Sequence, residues 1–443
     1  MSKKHSSHLR GERGQAFAEL IRGVPAEQIL CVSIDISKYF HVAMIHNGLG
    51  EIVMRPFEVD IYQSGFDQLC QTMAQAQAQT QAQVVLVGME PTSHYFENLA
   101  RHLTAHSQPV KLINSFSVKQ NREQQLMRRE KSDEIDVAAI GDLLRRGEGT
   151  PYQPVSGIYL RLQQFDRARL GKLKIATMLK NQIIGHLDRI FPGLLLLDET
   201  ARKRYTSLFR TDFWQLQTLQ DLIRVCPNPN DLVKMEPKEL VQAFHAQGRR
   251  LGPAVAAKII ARAHATLLPD PELAGIRCEL LQHDLTLLEN TQAYLSQLER
   301  WLVELVAQTP YQIWTKLKGL SAIQVASLAA AIGDPAHYTT AAQVFRRSGL
   351  VSGRNDSGKH QRKGKGNHIL KTGDVYLRRA LMNAVATLFL HQPSLMRYNK
   401  HLQITKHPGV ARVATARKTI GILWAILRDQ SSTTLIPCKG ADM

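Results

Sequence analysis

Short β-branched runs that end on acids constrain this chain more than any other feature. Leu30-Cys31-Val32-Ser33-Ile34 runs into Asp35, and Val84-Val85-Leu86-Val87-Gly88-Met89 runs into Glu90. Apolar runs of this length read as buried strands, so each acid stands where a strand leaves its sheet. A charge there is costly unless an opposite charge holds it, and hard divalent cations suit carboxylate oxygens. Asp133 and Asp136 lie three residues apart in Lys131-Ser132-Asp133-Glu134-Ile135-Asp136, a spacing that places both on one helix face. Glu130, Glu134 and Asp142 read as solvated helix faces.

Around these acids the pattern predicts strands at 29–35, 41–46 and 52–59, with Asn47-Gly48 as a hairpin turn. A helix over 65–82, a strand at 83–89, a helix at 95–106, a strand at 110–113 and a helix over 133–146 complete the unit. The order βββαβαβα is that of the ribonuclease H-like fold, although a meander followed by βα units has other possible windings. In that fold the first and fourth strands are neighbours, and Asp35 and Glu90 emerge side by side. Carboxylates so close cannot all ionise without a counter-charge. Two Mg²⁺ or Mn²⁺ ions roughly 3.5–4 Å apart would clamp the attacking and leaving oxygens of a phosphodiester.

Length allows two or three domains, since the chain has 443 residues. Residues 1–27 read as a mobile basic lead-in and 28–150 as the α/β domain. Pro151 and Pro154 open a region, 151–310, with leucines at near-helical spacing. It reads as two long antiparallel helices with a helical insertion, a coiled-coil-like assembly element. The remainder, 311–443, reads as a mainly helical domain. The fold class is thus α/β plus all-α. Leu317-Lys318-Gly319-Leu320 resembles a helix-hairpin-helix turn, and equally an ordinary glycine turn.

Lysine and arginine number 56 against 38 acids, a net charge of +18 that calls for a polyanionic partner. The excess clusters at 354–371 and 397–418. Within the first cluster lies Ser357, in Gly353-Arg354-Asn355-Asp356-Ser357-Gly358-Lys359. Arg354, Lys359, Arg362, Lys363 and Lys365 surround it, glycines interleave, and Lys371, Arg378 and Arg379 follow. Glycines permit close approach to phosphate, and cations stabilise the charge of a pentavalent transition state. Asn-Asp-Ser-Gly is also good turn sequence, so a turn serine is the competing reading. Cysteines 31, 70, 226, 278 and 438 form no CxxC pair, which disfavours a zinc ribbon or disulfide framework and suits a reducing cytosol. No signal peptide is read, and the longest apolar stretch is too short to span a bilayer. The expected location is cytoplasmic, against the nucleoid.

These residues resemble the DEDD-motif transposases of the "one-ten" group of insertion sequences, relatives of site-specific DNA invertases. The match runs through Ser33-Ile34-Asp35-Ile36-Ser37-Lys38, Met89-Glu90-Pro91-Thr92-Ser93-His94-Tyr95 and the segment 131–136. It resumes at Gly319, Ile332-Gly333-Asp334-Pro335, Ser348-Gly349-Leu350, Asp356-Ser357-Gly358, Lys371-Thr372-Gly373 and Leu377-Arg378-Arg379-Ala380-Leu381. The resemblance implies a RuvC-like domain whose Asp35, Glu90, Asp133 and Asp136 bind Mg²⁺ or Mn²⁺, and a serine transposase domain with Ser357 as nucleophile. It also implies a structured noncoding bridge RNA, encoded by the element, that pairs with target and donor DNA. Dimers joined through helices would assemble as a tetramer, with an active site that combines the RuvC-like domain of one subunit and the serine domain of another. Ser352-Gly353 stands where a proline is common, and Asp374 where asparagine or histidine is frequent. Two rivals stand beside RNA-guided DNA recombination. One is a RuvC-like structure-selective endonuclease that uses water, the other a non-catalytic nucleic-acid-binding protein.

Overall fold

The computed structural model describes residues 11–124, 132–155, 157–195, 208, 214, 216–351, 369 and 373–429. The chain divides into two units, Met1–Pro154 and Val155–Met443.

The first unit is a six-stranded mixed sheet. Its strands are β1 (Ile29–Asp35), β2 (Phe40–Asn47), β3 (Ile52–Asp60), β4 (Val84–Met89), β5 (Val110–Leu112) and β6 (Thr150–Pro151), in the order β3-β2-β1-β4-β5-β6. β1, β2 and β3 form an antiparallel meander, while β4 and β5 continue parallel to β1. Five helices cover the faces: α1 (Gly11–Leu20), α2 (Gln63–Thr80), α3 (Phe96–Ala105), α4 (Ser115–Gln124) and α5 (Asp133–Arg145). The side-chain period of two sorts β1 between two cores. Leu30, Val32 and Ile34 pack with Phe66 and Leu69 of α2 and Leu99 and Leu103 of α3. Ile29 and Cys31 pack with Leu86 of β4, Val118 of α4 and Ile140, Leu143 and Leu144 of α5. The sheet is therefore filled from both sides, and the ribonuclease H-like α/β fold expected from strand order is the fold present.

Three elements depart from expectation. Part of the supposed mobile lead-in is helix α1, and Phe17, Ile21 and Val24 pack against the α5-side core. Apolar side chains four and three residues apart give that segment a face to bury, which its basic charge concealed. Helix α4 is polar enough (Ser-Phe-Ser-Val-Lys-Gln-Asn-Arg-Glu-Gln) to hide its period. Strand β6 is two residues long and contains a proline, at the sheet edge where a missing donor is tolerated.

The second unit is helical. Helix α6 (Gly157–Ile190) is followed by α7 (Gln217–Val225), α8 (Pro229–Leu232), α9 (Pro237–Ala246), α10 (Pro253–His264) and α11 (Pro271–Val306). Helices α6 and α11, each about 50 Å long at 1.5 Å per residue, run antiparallel. Arg169 Nε donates to Glu299 Oε1 at 2.8 Å near one end, and His186 lies 3.7 Å from Asp284 near the other. Toward the second end, Ile183 and Leu187 share a core with Leu222, Phe244, Ile259 and Leu281 from the shorter helices. Toward the first end, Leu162 and Leu302 share a core with α12 (Ala322–Ile332), α13 (Ala341–Arg347), α14 (Val375–His391) and α16 (Pro408–Asp429); α15 (Pro393–Gln403) lies between the last two in sequence. Trp314 is fully buried there and donates its indole N–H to the Leu423 carbonyl at 2.8 Å. Two long helices with a helical insertion are what the leucine spacing predicts.

Candidate active site at the carboxyl ends of the central strands

Strands β1 and β4 sit at the middle of the sheet and pair in parallel, with Ile34 opposite Met89. The next residue on each chain is an acid, so Asp35 and Glu90 stand at the same end of adjacent strands, roughly 4.8 Å apart in backbone. Which face Asp35 takes follows from its partner across β2. Asp35 pairs with Val42, and Val42 packs with Met44 on Val137 of α5. Cross-strand partners share a face, so Asp35 emerges on the α5 side, against the residue that follows Asp136. Both Asp35 and Glu90 are half-buried.

Helix α5 brings its first turn to this corner. Ser132 is its N-cap, accepting the Ile135 N–H at 3.3 Å. Acids in the first turn complement the positive end of the helix dipole. The helix lies close to the sheet because Gly141 has no side chain. A Cβ there would collide with the His46 ring and come within 3.3 Å of Ser33 Oγ. His46 is buried, and burial holds its imidazole below the ordinary range.

The two acids of α5 differ in surroundings. Asp133 is exposed, whereas Asp136 is 4% exposed. Arg122 of α4 donates from Nη1 to Asp136 Oδ1 at 2.5 Å, with both side chains largely buried. A buried carboxylate needs such a partner. Sequence reasoning missed Arg122, because nothing in a polar helix announces which distant acid it meets. Asp142, read as a solvated acid, instead accepts from Asn121 at 2.7 Å and pairs with Arg145 and Arg146.

Asp35, Glu90 and Asp136 are thus brought to one end of the central strands. They do not converge as a closed cluster of three carboxylate oxygens within 4.8 Å. Their chemistry fits a hard divalent cation: oxygen donors, partly exposed, with one carboxylate held by a guanidinium whose charge a cation would replace. Asp133 stands one turn further out.

In the second unit, Ser357, Arg354, Lys359, Arg362, Lys363, Lys365 and Lys371 lie outside the described residues. The two ends of their segment are described, and they meet. Gly349, at φ +68°, and Gly373 touch backbone to backbone, and a Cβ on Gly373 would collide with the Arg347 carbonyl and the Gly349 nitrogen. Asp374 donates its backbone N–H to the Arg347 carbonyl at 2.7 Å. Its carboxylate accepts from the Tyr376 and Leu377 amides, capping α14, and lies 3.6 Å from the Arg347 guanidinium. Asp374 is therefore a working N-cap. Arg378 donates to the Ser348 carbonyl at 3.1 Å, so it braces this base; Arg379 is exposed. The turn at Gly319 has φ +106°, with His391 Cβ 3.0 Å from where a side chain would begin.

Two family models match the chain. One, for the DEDD transposase of the IS110 group, covers residues 32–192, and the other, described as the transposase of the IS116/IS110/IS902 family, covers 311–400. No curated protein matches it. A DEDD domain of this fold implies use of a divalent metal, and the transposase description implies a DNA substrate. No described helix is long and apolar enough to cross a membrane. With the acid-bearing sheet in the first match and the serine segment in the second, in that order along one chain, the protein belongs to the IS110 family of transposases, enzymes that cleave and join DNA.

Proposed function

We propose that this transposase recombines DNA by attack of the Ser357 hydroxyl on a phosphodiester, at a site that also uses Asp35, Glu90, Asp136 and Asp133. The observation that carries the reading is the shared placement of Asp35 and Glu90 at one end of paired strands, with Asp136 buried on the facing helix. Asp35, Glu90 and Asp136 would hold Mg²⁺ or Mn²⁺, and Asp133, being exposed, would join as an outer ligand. The bound cation supplies Lewis-acid polarisation of the phosphate and charge neutralisation.

The Ser357 oxygen forms a bond to phosphorus while the bond to one deoxyribose oxygen breaks. The hydroxyl proton passes to a base, and the departing oxygen takes one up. Attack on the phosphoserine by a new strand's hydroxyl reverses the exchange and joins DNA without hydrolysis. Arg354, Lys359, Arg362, Lys363, Lys365, Lys371 and Arg379 would contact phosphate along the strands, and Arg378 would hold the base of the serine segment. The close approach of Gly349 and Gly373, which flank the segment in sequence, supports a fixed base for it.

Target choice would come from an element-encoded bridge RNA, in keeping with the net charge of +18. Assembly through the long helices is supported by exposed Leu273, Ile276, Leu280, Leu287 and Tyr294 on α11. Their spacing of three, four, seven and seven suits a coiled-coil seam between dimers that pair as a tetramer. On this reading the functional parts are 28–150, 151–310 and 311–443.

A cleavage and recombination assay with two variants tests the chemistry. Glu90→Gln should lower strand cleavage to about a thousandth of wild type or less, the scale of several kcal/mol of lost charge stabilisation. Ser357→Ala should lose recombination while still binding nucleic acid. Recombination by Ser357→Ala, or full cleavage by Glu90→Gln, would overturn the proposal.

A further inference from the structure

The face of the sheet opposite α5 carries a second group of metal-ligating side chains. Cys70 lies on α2, and His102 and His106 lie four residues apart at the end of α3. One ligand atom from each falls within 4.8 Å of the other two. Asp67, one turn before Cys70, places its Oδ1 3.4 Å from His102 Nε2. Three donors therefore converge between the two helices that pack on Leu30, Val32 and Ile34, with the Asp67 carboxylate beside one of them.

Three further observations concern the state of these groups. The His102 side chain is nine-tenths buried, and its Nε2 has no hydrogen-bond partner although it faces Asp67. His106 Nδ1 sits 2.9 Å from the His102 carbonyl, so it donates there and leaves Nε2 with its lone pair outward. Such a bond from the second ring nitrogen is the usual way a ligating histidine is oriented. The two imidazole centroids lie 4.2 Å apart, with the rings tilted by 34°.

We propose that Cys70, His102, His106 and Asp67 form a tetrahedral site for a zinc-class transition metal. Two imidazoles and a thiolate select a borderline or soft ion over magnesium. Tetrahedral zinc, with bonds of about 2.0–2.3 Å, needs ligand atoms roughly 3.3–3.8 Å apart, so small side-chain rotations close the group on an ion. Four protein ligands leave no open position, which makes the site structural. It would tie α2 to α3 across the core that supports β1 and β4. His106 is exposed and gives the ion an entry path. The site is separate from the carboxylates, which emerge on the other face.

The test is cobalt substitution in the full-length protein after chelator treatment. Wild type should take up one Co²⁺ per chain with the intense visible bands of tetrahedral coordination and a thiolate charge-transfer band. The Glu90→Gln variant should do the same. Cys70→Ser should lose the charge-transfer band, and His106→Ala, at an exposed position, should bind at least about tenfold more weakly. Zinc should raise the melting temperature of wild type and leave that of His106→Ala unchanged, which separates metal loss from misfolding. An unchanged cobalt spectrum in Cys70→Ser, or loss of the spectrum in Glu90→Gln, would overturn the assignment.

Discussion

The two units would place the proposed reactive groups by different means. In the amino-terminal unit, Asp35 and Glu90 leave parallel strands in matched register, and hydrogen-bonded backbone aims both in one direction. In the carboxy-terminal unit, the described residues that flank the Ser357 segment are held together by a glycine pair, the Arg347–Asp374 contacts and Arg378. A sheet positions side chains through many weak, redundant bonds, so single changes near it mostly alter charge. The flanks of the Ser357 segment concentrate their geometry in a few close contacts, so one added methyl group there must displace backbone. The first site should therefore be sensitive to charge and the second to volume.

Gly373→Ala tests that contrast most severely. The added methyl collides with backbone on the far side of the loop base, and displacing a reacting group by an ångström costs about a hundredfold in rate. Recombination should fall by about that factor while divalent-metal binding is unchanged. Wild-type recombination by this variant would show that the loop base does not position the chemistry.

Arg122→Ala probes the charged site. It leaves Asp136 buried without its partner, which costs about 3–5 kcal/mol in the absence of metal. Mn²⁺ should restore more stability to the variant than it adds to wild type, because the cation takes over the role of the guanidinium. Denaturant unfolding with and without Mn²⁺ measures this. An equal response in both proteins would separate Asp136 from the metal site.

The smallest effects concern pH, and they differ in sign between the units. Burial depresses the His46 pKa below 6.5. The unfolded chain then binds a proton that the folded chain refuses, so stability falls as pH drops below about 6.5. Burial raises the Asp166 pKa against the weaker opposing effects of Ser327, Arg169 and Arg379. Here the folded chain binds the proton more tightly, so its contribution is full below the ordinary carboxylate range and is lost as pH rises through the raised value. His46→Gln should flatten the acid limb of the stability profile. Asp166→Asn should stabilise the protein slightly at neutral pH, where its side-chain oxygen still accepts from Ser327. Reversed signs would contradict the burial argument.

Local pattern carried the sheet. The runs ending at Asp35 and Glu90 are β-branched and bounded by turn residues, and strand order then follows from a small set of topologies. It also carried the pairing of α6 with α11, since leucines over many turns leave a helix few alternatives. What stayed hidden was tertiary. Arg122 meets Asp136 only because α4 crosses α5, and Phe17 finds a core that its basic neighbours do not suggest. The glycines at 349 and 373 are visible as motif residues, but their contact is not, because it joins positions more than twenty residues apart. His102 and His106 show metal-ligand spacing on one helix, yet Cys70 completes the group from another. Asp133 and Asp136 show the limit of periodicity, since a shared helix face did not give them a shared burial.

On the proposed function, Ser357 bonds to DNA phosphorus at a site that depends on the strand-end acids. The direct measurement traps the reaction with labelled DNA under denaturing conditions, digests DNA and protein, and identifies by mass spectrometry the peptide that retains a nucleotide. Wild type should yield a nucleotidyl-phosphoserine at Ser357, and Glu90→Gln should yield no adduct. Cleaved DNA with no adduct, or a nucleotide on any other residue, would contradict it.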